Sequence, residues 1–140
     1  MIQHIKHIVF TCIFLWSYLG IGQTTTIPDA AFLAFLKNHH EGLLDNSDRL
    51  IISNAAAFPD TLKMAGQSIK NLEGIQYFTS LRGLDVSGNE LTTIPAINNL
   101  ASLQTLNVRN NKLVSLPQLS TLSNLTNIYA DHNLLVTLPN

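Results

Sequence analysis

The chain has 140 residues, of which 46% are hydrophobic and only 12% charged, a balance that suits an ordered domain and excludes a disordered one. Eight Lys+Arg against nine Asp+Glu give a formal net charge of -1. No basic field exists to hold nucleic acid or an anionic membrane surface, so partners are selected by shape and local polarity.

The chain opens as a secretory leader. Lys6, with His4 and His7, supplies a weakly positive start; Ile8 to Leu19 is apolar and includes Phe10, Phe14, Leu15 and Trp16; Gly20-Ile21-Gly22 has the small-x-small form of a cleavage site. The apolar run from Ile8 to Ile21 covers 14 residues, whereas a bilayer-crossing helix needs about 20. Residues 1–22 therefore read as a signal peptide, with Gln23 as the mature amino terminus and a secreted or cell-surface destination. Cys12, the sole cysteine, leaves with it, as does Lys6. The mature chain then has seven basic and nine acidic groups, a charge of -2, no thiol and no transmembrane span.

Residues 23–60 read as a helical amino-terminal cap. Asp29 stands at a helix start, followed by Ala30 to Lys37 with Phe32, Phe35 and Leu36 on one face. His39, His40 and Gly42 suit its end. Adjacent histidines point to different helix faces, so His39-His40-Glu41 reads as a solvated helix end and not as a metal site. A second short helix is predicted to start at Ser53 as N-cap and to run through Ala55, Ala56 and Ala57 to Phe58, before Pro59.

From residue 61 to residue 140 the chain repeats itself. Leu84, Leu106 and Ile128 are spaced by 22 residues, and the same interval links Leu81, Leu103 and Leu125; Val86, Val108 and Ala130; Asn89, Asn111 and Asn133; Leu91, Leu113 and Leu135; and Pro95, Pro117 and Pro139. A fainter earlier copy holds Leu62, Met64, Gln67, Ile69, Leu72, Ile75 and Phe78. About four units result, the last incomplete. Leu84 and Val86 alternate with Gly83, Asp85 and Ser87, the period of a short strand with one buried face. One such strand per unit predicts a parallel stack whose units cannot fold singly, because each completes its burial against its neighbours. Gln67, Asn89, Asn111 and Asn133 fall where the chain leaves the strand, and their amides are predicted to form a ladder satisfying backbone groups that the turn unpairs. Proline at residues 95, 117 and 139 begins each return segment.

The stretch LRGLDVSGNELTTIP, Leu81 to Pro95, and its two downstream copies resemble the leucine-rich repeat family, in its short 22-residue class, as in bacterial internalin-like proteins. The resemblance covers about residues 61–140. It implies an α/β solenoid: a horseshoe segment with a parallel sheet on its concave side, irregular or 3₁₀ segments on its convex side, and the helical cap in front. It also implies binding of proteins or other macromolecules on the concave face. The pattern Ile27-Pro28-Asp29 with Phe32, and Ile52-Ser53 downstream, is similar to caps of some bacterial secreted members, which carry EF-hand-like calcium loops. Set on that loop, Asp45 and Ser47 take the first and third places, but Arg49 occupies the fifth and Ala56 the place of the bidentate Glu. The segment reads as a degenerate relic without a metal.

Strand alternation turns Lys63, Asp85, Asn107 and Tyr129 to the concave face as one column, and Ala65, Ser87, Arg109 and Asp131 as another. Lys63, Asp85, Asn107, Arg109, Tyr129 and Asp131 are the candidate ligand-binding residues, with Tyr129 as the aromatic anchor. Arg109 and Asp131, on neighbouring strands, have a second reading as a simple ion pair. His132 beside Asp131 lacks a nucleophile and a cleft, and no glycine-rich phosphate loop or nucleophile elbow occurs, so no enzyme and no cofactor is expected. Asn124-Leu125-Thr126 is a lone sequon of little weight. The expectation is a monomeric, non-catalytic module binding a protein, or a glycan, through the concave face. Two alternatives stand beside it: a structural amino-terminal fragment of a longer array, suggested by a chain that stops without a polar cap, and an intracellular regulatory scaffold, with which the leader conflicts.

Overall fold

The 22-residue interval appears in space as strand register. In the computed structural model, which describes residues 22–137, the strands Thr61–Lys63 (β3), Gly83–Asp85 (β4), Thr105–Asn107 (β5) and Asn127–Tyr129 (β6) lie side by side in chain order and pair in parallel. Register partners are residues 22 apart: Leu62 with Leu84, Leu84 with Leu106, and Leu106 with Ile128. Residues 1–21, which hold all of the leader but Gly22 and include Cys12, and Pro139 lie outside the described residues. No helix among the described residues is long and apolar enough to cross a membrane.

Behind the sheet the apolar columns stack into one core. Leu62, Leu84 and Leu106 are buried, as are Met64, Val86 and Val108, and Leu81 and Leu103. Opposite them pack Ile69, Leu72, Ile75 and Phe78 of the first unit and Ile94, Ile97 and Leu100 of the second. The return segments are short. The first holds a single 3₁₀ turn, Ile75–Tyr77, and later ones repeat its bonding in isolated turns, where Leu100 N–H donates to Ile97 C=O and Leu122 N–H to Leu119 C=O.

A regularity that column-matching of apolar residues overlooked is conformational. Gly66, Gly88, Asn110 and His132, again 22 apart, all have left-handed backbone, with φ of 67°, 64°, 52° and 56°. The chain must reverse its curl on leaving each strand, and only glycine does so without steric cost; asparagine tolerates it and histidine less so.

The cap is α1 (Ala30–His39), a 3₁₀ turn (Glu41–Leu43), α2 (Ile52–Ala57) and a two-stranded antiparallel ribbon of β1 (Thr24–Thr25) and β2 (Leu50–Ile51). Asp29 is the N-cap of α1, and Phe32, Phe35 and Leu36 enter the same core as the repeats. Two details depart from the sequence expectation. The ribbon has no signal in the sequence beyond the short β-favouring runs Thr24 to Thr26 and Leu50 to Ile52. Because of it, α2 begins at Ile52 and not after a Ser53 cap: Ile51 pairs with Thr24, Ile52 N–H donates to Gln23 C=O, and the chain passes directly from strand to helix. Ser53, inside the helix, bonds only Asn54.

A single carboxylate joins cap to repeats. Asp29 Oδ1 accepts from Ala31 and Phe32 N–H, while Oδ2 accepts from Lys70 and Asn71 N–H, each at 2.9–3.0 Å. Partial burial pushes this carboxyl up, but the four backbone donors outweigh it and hold it below the usual aspartate value. Beside it Gly74, at φ 110°, leaves room for Ile27, whose Cδ1 would stand 2.2 Å from a Cβ there.

Candidate functional site

Strand pleating turns alternate side chains away from the core, so the outward sheet face carries the candidate residues in the order of the strands. Lys63, Asp85, Asn107 and Tyr129 are register partners across β3 to β6. Their surroundings differ. Asp85 is turned along its own strand, where its Oδ1 accepts from Ser87 N–H (3.0 Å) and Ser87 Oγ–H (2.7 Å). Asn107 Oδ1 accepts from Arg109 N–H at 3.3 Å. Both are half-buried and committed to local turns, whereas Lys63 is exposed at the cap end of the sheet.

The other candidates converge at the opposite end. The Arg109 guanidinium lies 4.6 Å from the centre of the Tyr129 ring, and its Nε bonds the Asp131 carboxylate. His132 Nδ1 contacts the second Asp131 oxygen at 2.8 Å. Bonds from Arg109 and then His132 hold the exposed Asp131 carboxyl below its ordinary range. Arg109, Tyr129 and Asp131 thus form one cluster, and the ion-pair reading of Arg109 with Asp131 coexists with cation–π stacking on Tyr129. Lys63 sits three strands from Tyr129, roughly 14 Å at normal strand spacing, and is not part of it. The sequence placed these residues on one face and offered the Arg109–Asp131 pair; it gave no sign that Arg109 would also rest on the Tyr129 ring.

The amide ladder lies just beyond the strands. Asn89 Nδ2 donates to Met64 C=O and Val86 C=O, each at 2.8 Å, while its Oδ1 accepts from Gln67 and Ile69 N–H. Asn111 repeats this toward Val86 and Val108 C=O and Leu91 N–H, and Asn133 toward Val108 and Ala130 C=O and Leu113 N–H. Each amide therefore fastens its own unit to the one before. Gln67 is the exception and corrects the sequence reading. Having no earlier unit to reach, its side chain is exposed and donates only to Ala65 C=O; it is Gln67's backbone N–H that joins the ladder.

The cap's polar residues are engaged in packing and loop closure. Asp45 Oδ1 accepts from Ser47 and Arg49 N–H, Asp48 pairs with Lys37 at 2.8 Å, and Arg49 reaches Thr24 C=O. Asp45 is thus the hinge of an Asx-type turn. His39 stacks on Phe35 with ring centres 4.5 Å apart, and His40 meets the edge of Phe58, which abuts Phe78. Burial first, and then the charge of His39, keep His40 below the usual imidazole value against the pull of Asp60. The helix end expected to be solvated is, at His40, an aromatic seam. Asn124 of the sequon donates to Ala101 C=O at 2.7 Å, another bond between successive units.

Residues 79–120 match the family model described as Leucine Rich repeats (2 copies). That stretch contains β4, β5 and the Asn89 and Asn111 rungs, so the matched repeats are the ones in which stacking is complete on both sides. No curated protein matches the chain.

Proposed function

We propose that this chain is a non-catalytic recognition module that binds a protein partner through the outward face of its repeat sheet. Leucine-rich repeats are generally protein–protein interaction modules. The observation that carries the reading here is the Arg109–Tyr129–Asp131 cluster. An aromatic ring and a guanidinium already fixed by each other and by a carboxylate offer contact area and directed donors with little side-chain entropy left to lose on binding. Asp131 is shared between Arg109 and His132 on an open sheet face, an arrangement that suits contact better than acid–base chemistry. A glycan is the second reading, supported by the same stacking of ring and polar groups. The leader at residues 1–22 supports export to the medium or the cell surface, and recovery of a mature chain starting at Gln23 tests that point.

Arg109→Ala combined with Tyr129→Ala is expected to abolish capture of the partner in a pull-down from the native extracellular fraction. The melting temperature should shift by less than about 3 °C, since both side chains lie outside the core. Parallel loss of capture and of melting temperature would assign the cluster to stability instead.

A further inference from the structure

The amino-terminal ribbon is fastened from the carbonyl of Gln23 onward. That C=O accepts from Ile52 N–H at 2.9 Å, Thr24 and Thr25 pair with Ile51 and Leu50, and Arg49 Nη2 donates to Thr24 C=O at 3.2 Å. On the other side of the Gln23 carbonyl the situation reverses. Gln23 is exposed, and among the described residues neither its backbone nitrogen nor its side-chain amide has a hydrogen-bond partner.

The residues just after this point have no spare length. Strand β1 is two residues long, and α2 has no side-chain cap at its start, so Ile52 N–H in its first turn relies on Gln23 C=O. Removal of residues 23 and 24 would take away both that acceptor and the register partner of Ile51. In an exported chain that begins at Gln23, these are the residues an aminopeptidase reaches first.

We infer that Gln23 is a modification site, which cyclises to pyroglutamate once cleavage of the leader makes it the amino terminus; the inference rests on the leader reading proposed above. The α-amino nitrogen, as free base, attacks Cδ of the residue's own side-chain amide. A new N–Cδ bond closes a five-membered lactam, the Cδ–Nε2 bond breaks, and Nε2 takes a proton from the amine and leaves as ammonia. Nothing is oxidised or reduced, and no co-reactant is consumed. With an amino-terminal pKa of about 8, a nucleophilic fraction is present at neutral pH. Ring closure uses only the two groups of Gln23 that the fold leaves unengaged, and it spares the carbonyl that Ile52 needs. The product has no primary amine, so an aminopeptidase has no point of attack, and the positive charge of the terminus is gone. The ribbon is thereby sealed one residue ahead of its first pair.

Expression of the full 140-residue chain in an exporting host, followed by mass spectrometry of the exported protein and its amino-terminal peptide, tests the inference. The expected peptide starts at residue 23, is lighter than the unmodified peptide by one ammonia, and resists a general aminopeptidase until a pyroglutamyl aminopeptidase has acted. Gln23→Ala, which cannot cyclise, is expected to keep a free amine and to lose its first residues to the same aminopeptidase. After that trimming, hydrogen exchange at Ile52 should quicken by at least about tenfold, while exchange in the repeat strands stays as it was. A peptide that starts at residue 23 with a free amine and full glutamine mass would overturn the inference and leave the leader reading intact. A different start, or a retained leader, would overturn the leader reading and the inference with it. Equal resistance of wild type and Gln23→Ala to the aminopeptidase would overturn the protective role of the ring.

Discussion

Strands β3 and β6 occupy the same place in the repeat, yet Leu62 is fully buried while Ile128 is 47% exposed. The side chains are nearly equal in size and hydrophobicity, so the difference lies in what stands next to each. Leu62 has β4 on one side and shares one buried core with Phe32, Phe35 and Leu36 of α1 and Ala55 of α2, in a cap fastened through Asp29 and fitted around Gly74. Among the described residues Ile128 has β5 on one side alone. In a stacked array, burial is a property of the pair of neighbours and not of the residue, which makes the ends the places where stability and interaction are decided.

The comparison breaks most visibly under truncation of the two equivalent residues. In dilute protein Leu62→Ala should lower unfolding free energy by about 2–5 kcal/mol, while Ile128→Ala should cost under about 1 kcal/mol. Urea denaturation measures both, and equal losses would mean that the β6 end is covered in solution. Next in size is Gly74→Ala, at about 1–3 kcal/mol, from a methyl group forced against Ile27 and a left-handed backbone. Repeating it in an Ile27→Ala background separates the two causes, since only the clash should be relieved.

Asp29→Asn sharpens the contrast at its seam. An amide cannot accept from all four backbone donors, and a loss of about 1–2 kcal/mol is expected at neutral pH. The folded carboxyl is held below the ordinary aspartate value of 3.8, so its contribution is complete above that pH and is lost as pH falls through the folded value. The gap between wild type and variant should therefore close as the pH drops below about 4, as thermal melts across an acid series would show. The smallest effect is a gain: His132→Gly should add about 0.5–1 kcal/mol by removing the strain of a left-handed histidine. No gain there would mean that the His132–Asp131 contact offsets the strain.

The array was legible because stacking imposes one environment on equivalent positions. Leu84, Leu106 and Ile128, or Asn89, Asn111 and Asn133, recur because each must meet the same neighbour in the same way, and an interval of 22 is visible without coordinates. Even the left-handed column was open to reading, since Gly66 and Gly88 stand 22 apart, but Asn110 and His132 disguise it. The candidate site was legible as a face and in the pairing of Arg109 with Asp131. That Arg109 rests on Tyr129 while Asp85 turns to Ser87 follows from side-chain angles and local turns, which strand periodicity does not encode.

By itself the sequence determined the repeat length, the strand register and the buried columns, because these are periodic and the physics of stacking reads periodicity. Tertiary structure alone decided the ribbon that starts α2 at Ile52, the fourfold use of Asp29, the absence of the Gln67 side chain from the ladder and the exposure of Ile128 among the described residues. Each of these depends on a contact that is made or missing at one place in the array, and what happens once leaves no interval to count.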